Sequence, residues 1–258
     1  MNLFSNAFLA AVLFILSGGV AGAQMVVLHD AFDGTKIGTN TGPAAAGNGF
    51  FLNDANGQPP DPAEATAAVA GGQVTIAGPA AVKTLVSMDA LDPIGKVLTW
   101  QIAARPSGAD SGVQIGWTLP NGNVCCGAGV RLEMRGDRVV FDLMSAAASA
   151  SAVQISRYLE IPFGSTAPGS VYTSASSPLT ATMRLQRNRW TIDIIGTGVD
   201  IHRKGFYSGC SIVHSQGQPC ASPAAIFDLK RGTMHVFATA FGEGQSASFS
   251  DVTVVIPL

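Results

Sequence analysis

Apolar and polar residues alternate with a period of two along most of the chain, the pattern of strands with one buried face. The clearest segments are Val74–Ile76, Val97–Ala103, Gly112–Leu119, Gly129–Arg135, Arg138–Met144, Ala181–Gln186, Trp190–Ile195, Met234–Phe241 and Ser246–Ile256. Gly, Pro, Asn and Asp separate them. Arg135-Gly136-Asp137-Arg138 and Gln186-Arg187-Asn188-Arg189 read as tight hairpin turns. No amphipathic helix of three turns competes with the strands, and the Ala-rich run Ser145–Ala152 predicts a short helical or irregular connection. Thr39–Pro62 and Ser165–Pro178 predict long loops. Nine or more strands over residues 24–258 predict an all-β fold: a two-sheet antiparallel jelly-roll sandwich.

The first 23 residues fall outside this pattern. Phe8 to Leu16 is an uninterrupted apolar run, broken by Gly18 and Gly19. Ala21-Gly22-Ala23 then supplies a small-x-small cleavage site. The run is short for a bilayer span, although no Lys or Arg precedes it. Residues 1–23 therefore read as a signal peptide, and residues 24–258 as one exported domain, secreted or periplasmic. No later apolar run reaches membrane length, so no membrane contact is expected after cleavage.

Composition narrows the function classes. Charged residues are only 12% of the 258, against 47% hydrophobic, and 30 glycines are present. The formal net charge is -2 with no basic cluster, which argues against a nucleic-acid partner. Export places the four cysteines in an oxidising compartment. Cys210 and Cys220 bracket a polar loop, while Cys125 and Cys126 are adjacent. A Cys210–Cys220 disulfide is slightly favoured, and would contribute roughly 2–3 kcal/mol in the chain-entropy model. Cross-pairing with Cys125 or Cys126 is the main rival. A zinc site using His214 is less suited, because adjacent cysteines lack the usual two-residue ligand spacing.

Two terminal segments and the strand rhythm between them carry a resemblance. The domain opens with VVLHDAFDGTKIG and closes with ASFSDVTVVIP; VLTWQIAARP, SGVQIGW, GVRLEMRGDRVVFDL and ATMRLQRNRWTIDII lie between. Over residues 26–258 the chain resembles the concanavalin-A-like jelly rolls, which include laminin-G-like domains and family 16 glycoside hydrolases. The resemblance implies that the first and last strands lie side by side. It also implies a structural Ca²⁺ near the joined ends, with Asp251 as the closing carboxylate and Asp33 with Gly34 in the matching opening region. Hard oxygen ligands of this kind suit calcium.

The same resemblance sharpens the question of catalysis. Family 16 hydrolases carry a Glu-x-Asp-x-x-Glu strand, which this chain lacks. Beyond the signal segment the only glutamates are Glu64, Glu133, Glu160 and Glu243, so a pair of acid–base carboxylates is not evident. Arg131-Leu132-Glu133-Met134-Arg135 resembles the Arg-x-Glu-Leu-Arg strand of jelly-roll alginate lyases. The partner motif, Gln114-Ile115-Gly116, lacks its histidine and stands in the reverse order. No Gly-x-Ser-x-Gly elbow supports a nucleophile.

Binding has better support. Val130, Leu132 and Met134 share one strand face, and Arg131, Glu133 and Arg135 the other. Gln114 and His235 alternate out of phase with apolar neighbours in the same way. Trp100, Trp117 and Trp190 are in phase with the core, whereas Tyr158, Tyr172 and Tyr207 lie in loop-like segments and read as surface residues. Gln101, Arg105, Gln114, Arg131, Glu133 and Arg135 are the polar positions expected to line a concave sheet. The ligand-binding candidates are Gln114, Arg131, Glu133, Arg135 and His235, with a polysaccharide or surface glycan as partner. The arginines point to an acidic glycan. The leading expectation is a secreted, non-catalytic carbohydrate-binding or adhesion domain. A polysaccharide lyase or glycoside hydrolase, or a structural surface protein, is the alternative.

Overall fold

The computed structural model describes residues 23–39, 49–54, 57–106, 108–118, 129–146, 153–162, 179–196, 199–207, 211–212 and 233–258. The signal segment up to residue 22, all four cysteines, His214, Tyr172 and the Ser165–Pro178 loop lie outside them, as does most of Ser145–Ala152. The described residues form strands and turns, with no helix among them. In chain order the strands are β1 (Gln24–Asp30), β2 (Lys36–Thr39), β3 (Gly49–Asn53), β4 (Thr66–Ala70), β5 (Gln73–Ala77), β6 (Val82–Leu91), β7 (Val97–Ala104), β8 (Gly112–Thr118) and β9 (Gly129–Arg135). There follow β10 (Arg138–Ala146), β11 (Val153–Pro162), β12 (Leu179–Leu185), β13 (Arg189–Gly196), β14 (Val199–Phe206), β15 (Ser211–Ile212), β16 (Met234–Phe241) and β17 (Ala247–Pro257).

They make the two sheets of a jelly-roll sandwich. The smaller runs β14-β13-β12-β7-β17-β5-β4, with β1 also on β17; the larger runs β15-β11-β10-β9-β8-β16-β6-β3-β2. Only the β2–β3 pairing is parallel among the described strands. The opening and closing strands lie side by side as expected, with Gln24 opposite Pro257 and Asp30 opposite Val252. Between the sheets lies one large core. Trp100 is ringed by Phe32, Phe50 and Phe249, while Phe141, Tyr158, Trp190 and Tyr207 form a second aromatic cluster.

The two sheets differ on their outer faces. Strands β12 and β13 alternate between buried and open positions along their length. Strand β8 is buried at every position, and β9 at five of seven. A strand buried on both faces is ordinarily apolar on both. Here the outer face carries Gln114, Arg131, Glu133 and Arg135.

Several strands depart from the sequence expectation. Thr39–Pro62 is not one long loop, because Gly49–Asn53 pairs with β6 and sends Phe50 and Leu52 into the core. Its five residues, set among Gly and Asn, are too few to show a period. Strand β6 was hidden by Lys83, which lies in phase with core Leu85 and is fully buried. Its ammonium donates to the carbonyls of Gly78 and Ala80 at 3.0 and 2.6 Å. Burial pulls the Lys83 pKa down. Tyr207 is a core residue and Tyr158 is half-buried against the core, so neither is an open surface residue; their rings belong to the second aromatic cluster.

Candidate functional site

Cross-strand register lines up the polar residues of the larger sheet into rows on its outer face. One row runs Asn53, Thr84, Thr239, Gln114, Glu133 across β3, β6, β16, β8 and β9. All five are buried although they face away from the core. The Thr84 and Thr239 hydroxyls bond each other at 2.9 Å. The amide nitrogen of Gln114 donates to Glu133 Oε2 at 2.6 Å, and Arg135 Nε donates to Glu133 Oε1. Glu133 is 2% exposed, so both its oxygens are held within the protein.

A neighbouring row carries a second charge cluster. Arg131, Asp142 and Arg157 stand opposite one another on β9, β10 and β11. Asp142, 0% exposed, accepts from Arg131 Nη2 at 3.0 Å and from Arg157 Nε at 3.0 Å. Arg157 also reaches Glu160 at 2.9 Å. The Arg135 guanidinium lies 5.2 Å from the centroid of the Phe241 ring, a cation–π distance. In the Arg131 row, Gly116 leaves an empty position between Phe237 and Arg131. Its φ is +154°, and a Cβ there would stand 1.9 Å from the Val130 carbonyl oxygen, so this approach of β8 to β9 requires glycine.

His235 borders the same face. Between Val86 and Ala90, strand β6 carries a bulge opposite Val236. The bulge turns the Ser87 carbonyl toward His235 Nδ1, 2.6 Å away. A carbonyl only accepts, so in the neutral ring Nδ1 carries the proton and Nε2 is a bare acceptor, a tautomer assigned from the network. The Ser87 hydroxyl takes the Val236 N–H at 2.9 Å and donates to the Asp89 carbonyl at 2.8 Å, fixing the bulge. Thr118, paired with His235 across the strand, has a buried hydroxyl with no hydrogen-bond partner, as does Asn53 Oδ1. Val82, Val86 and Phe237 form a small apolar cluster beside these groups.

The structure thus brings Gln114, Arg131, Glu133, Arg135 and His235 onto one face. It does not place Gln101 or Arg105 there. Gln101 belongs to the smaller sheet, where the Ser250 hydroxyl bonds it at 3.3 Å. Arg105 is buried and donates to the carbonyls of Met134 and Arg135 at 3.3 and 2.7 Å, tying the end of β7 to that of β9. Asp142, Arg157, Thr84, Thr239, Asn53 and Thr118 were not singled out by sequence. Asp142 had a visible signal, since it alternates against Val139, Phe141 and Leu143.

At the joined ends of the chain, Asp251 Oδ1 is buried without an aligned hydrogen bond. His29 Nε2 stands 3.2 Å away, at ion-pair distance but outside hydrogen-bond alignment. Burial raises the Asp251 pKa; His29 counters this and the charge of Asp30 adds to it. Asp33 and Gly34 are exposed turn residues. The groups of the opening strand that act on Asp251 are therefore His29 and Asp30. A half-buried carboxylate with a second carboxylate nearby fits a hard cation, while the imidazole paired with it fits less well. No group of three or more His, Cys, Asp or Glu suited to a metal occurs among the described residues.

On the outer side of the smaller sheet, His202 stands between Asp193 (Nδ1, 2.6 Å) and Asp200 (Nε2, 2.7 Å). The hydrogen bond that its Nδ1–H donates to Asp193 chiefly raises its pKa. A raised folded-state pKa adds stability below the unfolded value of about 6.5 and loses it as pH rises through the folded value. NMR titration should therefore place His202 above an ordinary histidine, and Asp193→Asn should bring it down. A titration unmoved by Asp193→Asn would show that the ion pair does not form.

No protein-family model and no curated protein sequence matches the chain. Solved structures do. An endo-β-1,3-glucanase from Pyrococcus furiosus superposes with a TM-score of 0.53 at 10% identity, over 92% of this chain and 96% of that one. A structure from work on endo-acting O-glycanases of human gut microbiota that initiate mucin breakdown gives 0.51 at 12%, over 90% and 99%. Arcelin-5, a lectin-like defence protein of Phaseolus vulgaris, gives 0.50 at 8%, over 81% and 98%. The fold is that of the concanavalin-A-like lectins and glucanases, as the terminal motifs implied.

Proposed function

We propose that this concanavalin-A-like jelly roll is a secreted carbohydrate-binding domain that uses the outer face of its larger sheet and is not catalytic. The observation that carries the reading is the buried polar row Asn53–Thr84–Thr239–Gln114–Glu133 on a sheet whose other face is apolar core. Burying polar groups is unfavourable unless they are partnered. The half-buried Arg131, Arg135 and His235 at the edge of this row are the groups that a hydroxyl-rich ligand would reach, with the row behind them. That similar folds include a lectin-like protein and glycan-cleaving enzymes adds support. Binding is favoured over hydrolysis because both oxygens of Glu133 and of Asp142 already accept hydrogen bonds from Gln114 and arginines.

The test is affinity electrophoresis on a glycan panel, using protein recovered outside the cell whose intact mass begins at Gln24. At least one glycan retards the wild type, and Arg131→Ala weakens retention about tenfold, or ~1.4 kcal/mol, with circular dichroism below the variant's own melting temperature as the check on folding, since buried Asp142 loses one partner. Retention on no glycan sinks the reading. Release of reducing or unsaturated ends, abolished by Glu133→Ala, would make the protein an enzyme instead.

We also propose that Asp251 holds a structural Ca²⁺ with the opening segment that includes Asp33 and Gly34. The ion would neutralise the half-buried Asp251 carboxylate and the nearby Asp30. Chelation should lower the melting temperature of the wild type but not that of Asp251→Ala. Equal melting with and without chelator in the wild type removes the ion.

A further inference from the structure

We infer that the ligand of the larger sheet's outer face is a neutral, hydroxyl-rich glycan, not a polyuronate or a sulfated polymer. The inference rests on reading this face as glycan-binding, and it reverses what the arginines imply when counted from sequence. Four arginines on the face, Arg131, Arg135, Arg138 and Arg157, are matched by Glu133, Asp137, Asp142 and Glu160, each within an ion pair. To grip a ligand carboxylate in two places, Arg131 or Arg135 would have to leave its internal partner. That partner is a carboxylate 2% exposed or less, and stranding it out of reach of water is the costlier arrangement. An anionic ligand therefore meets a face without net positive charge.

The experiment is affinity electrophoresis of the full exported chain at pH 8. The gels contain β-1,3-glucan, xyloglucan, mannan, polygalacturonate or dextran sulfate. The expected result is retention by at least one neutral polymer, about tenfold or more stronger than by either polyanion, and unaltered between about 0.05 and 0.5 M salt. Stronger retention by polygalacturonate or dextran sulfate, weakening with salt, overturns the inference and leaves the glycan-binding reading standing. Retention by no polymer overturns the reading on which it rests.

Discussion

Asp142→Ala should lower the unfolding free energy by about 3–5 kcal/mol, measured by urea denaturation, with Asp142→Asn intermediate. The magnitude follows from geometry. Asp142 is fully buried between Arg131 and Arg157, so its loss leaves two guanidinium groups facing each other with their shared counter-charge gone. The asparagine variant keeps an acceptor but not the charge. A double variant, Asp142→Leu with Arg131→Leu, should recover much of the loss, because an apolar replacement of both partners removes the stranded charge. A loss below about 1 kcal/mol for Asp142→Ala would mean that the arginines swing into water and behave as a surface pair.

Phe32→Ala should cost about 3–5 kcal/mol. Phe32 is fully buried, its ring centroid 5.6 Å from that of Phe50 and 6.3 Å from that of Trp100. It does this with φ at +52°, a left-handed conformation that bulky residues seldom adopt. Asp30 holds the turn by accepting from the Phe32 N–H at 2.8 Å and from the Thr35 hydroxyl. The Asp-x-Phe-Asp-Gly opening is thus a plug: a capped turn that drives an aromatic ring into the core end. Phe32→Gly should be no more destabilising than Phe32→Ala, because glycine is at ease at positive φ and alanine is not. Thermal denaturation of the two side by side decides this, and a clearly less stable glycine variant would mean that the backbone is not held in this conformation.

Much of the architecture was legible because a one-sided sheet writes its period into the sequence. Gly129–Arg135 and Met234–Phe241 were read with the bounds they have, and the phase of Arg131, Glu133 and His235 put them on the correct side. Where the period fails, so did the reading. Lys83 occupies a core-facing position of β6 through two loop carbonyls, which no local pattern announces. The polar edge strand Val199–Phe206 buries little of itself. The site was half legible for a related reason. Alternation tells which face a residue takes, but not whether that face is open or what stands across from it. Hence Glu133 could be placed, but its burial and its engagement by Gln114 could not. Arg131 could be counted as a cation, but not seen to be matched by Asp142, eleven residues away on the next strand. For Asp251, the pairing of β1 with β17 brings His29 close, and that contact joins residues at opposite ends of the domain.

That pairing has a consequence for how the molecule is made. Strand β17 lies inside the smaller sheet, bonded to β7 along one side and to β5 and then β1 along the other. The Leu258 N–H even closes on the Ala23 carbonyl at 2.8 Å. The sheet cannot close around β17 until residues 247–257 are made: before that, β7 and β5 have no neighbour between them. The sequence separation of these contacts makes the ordering slow.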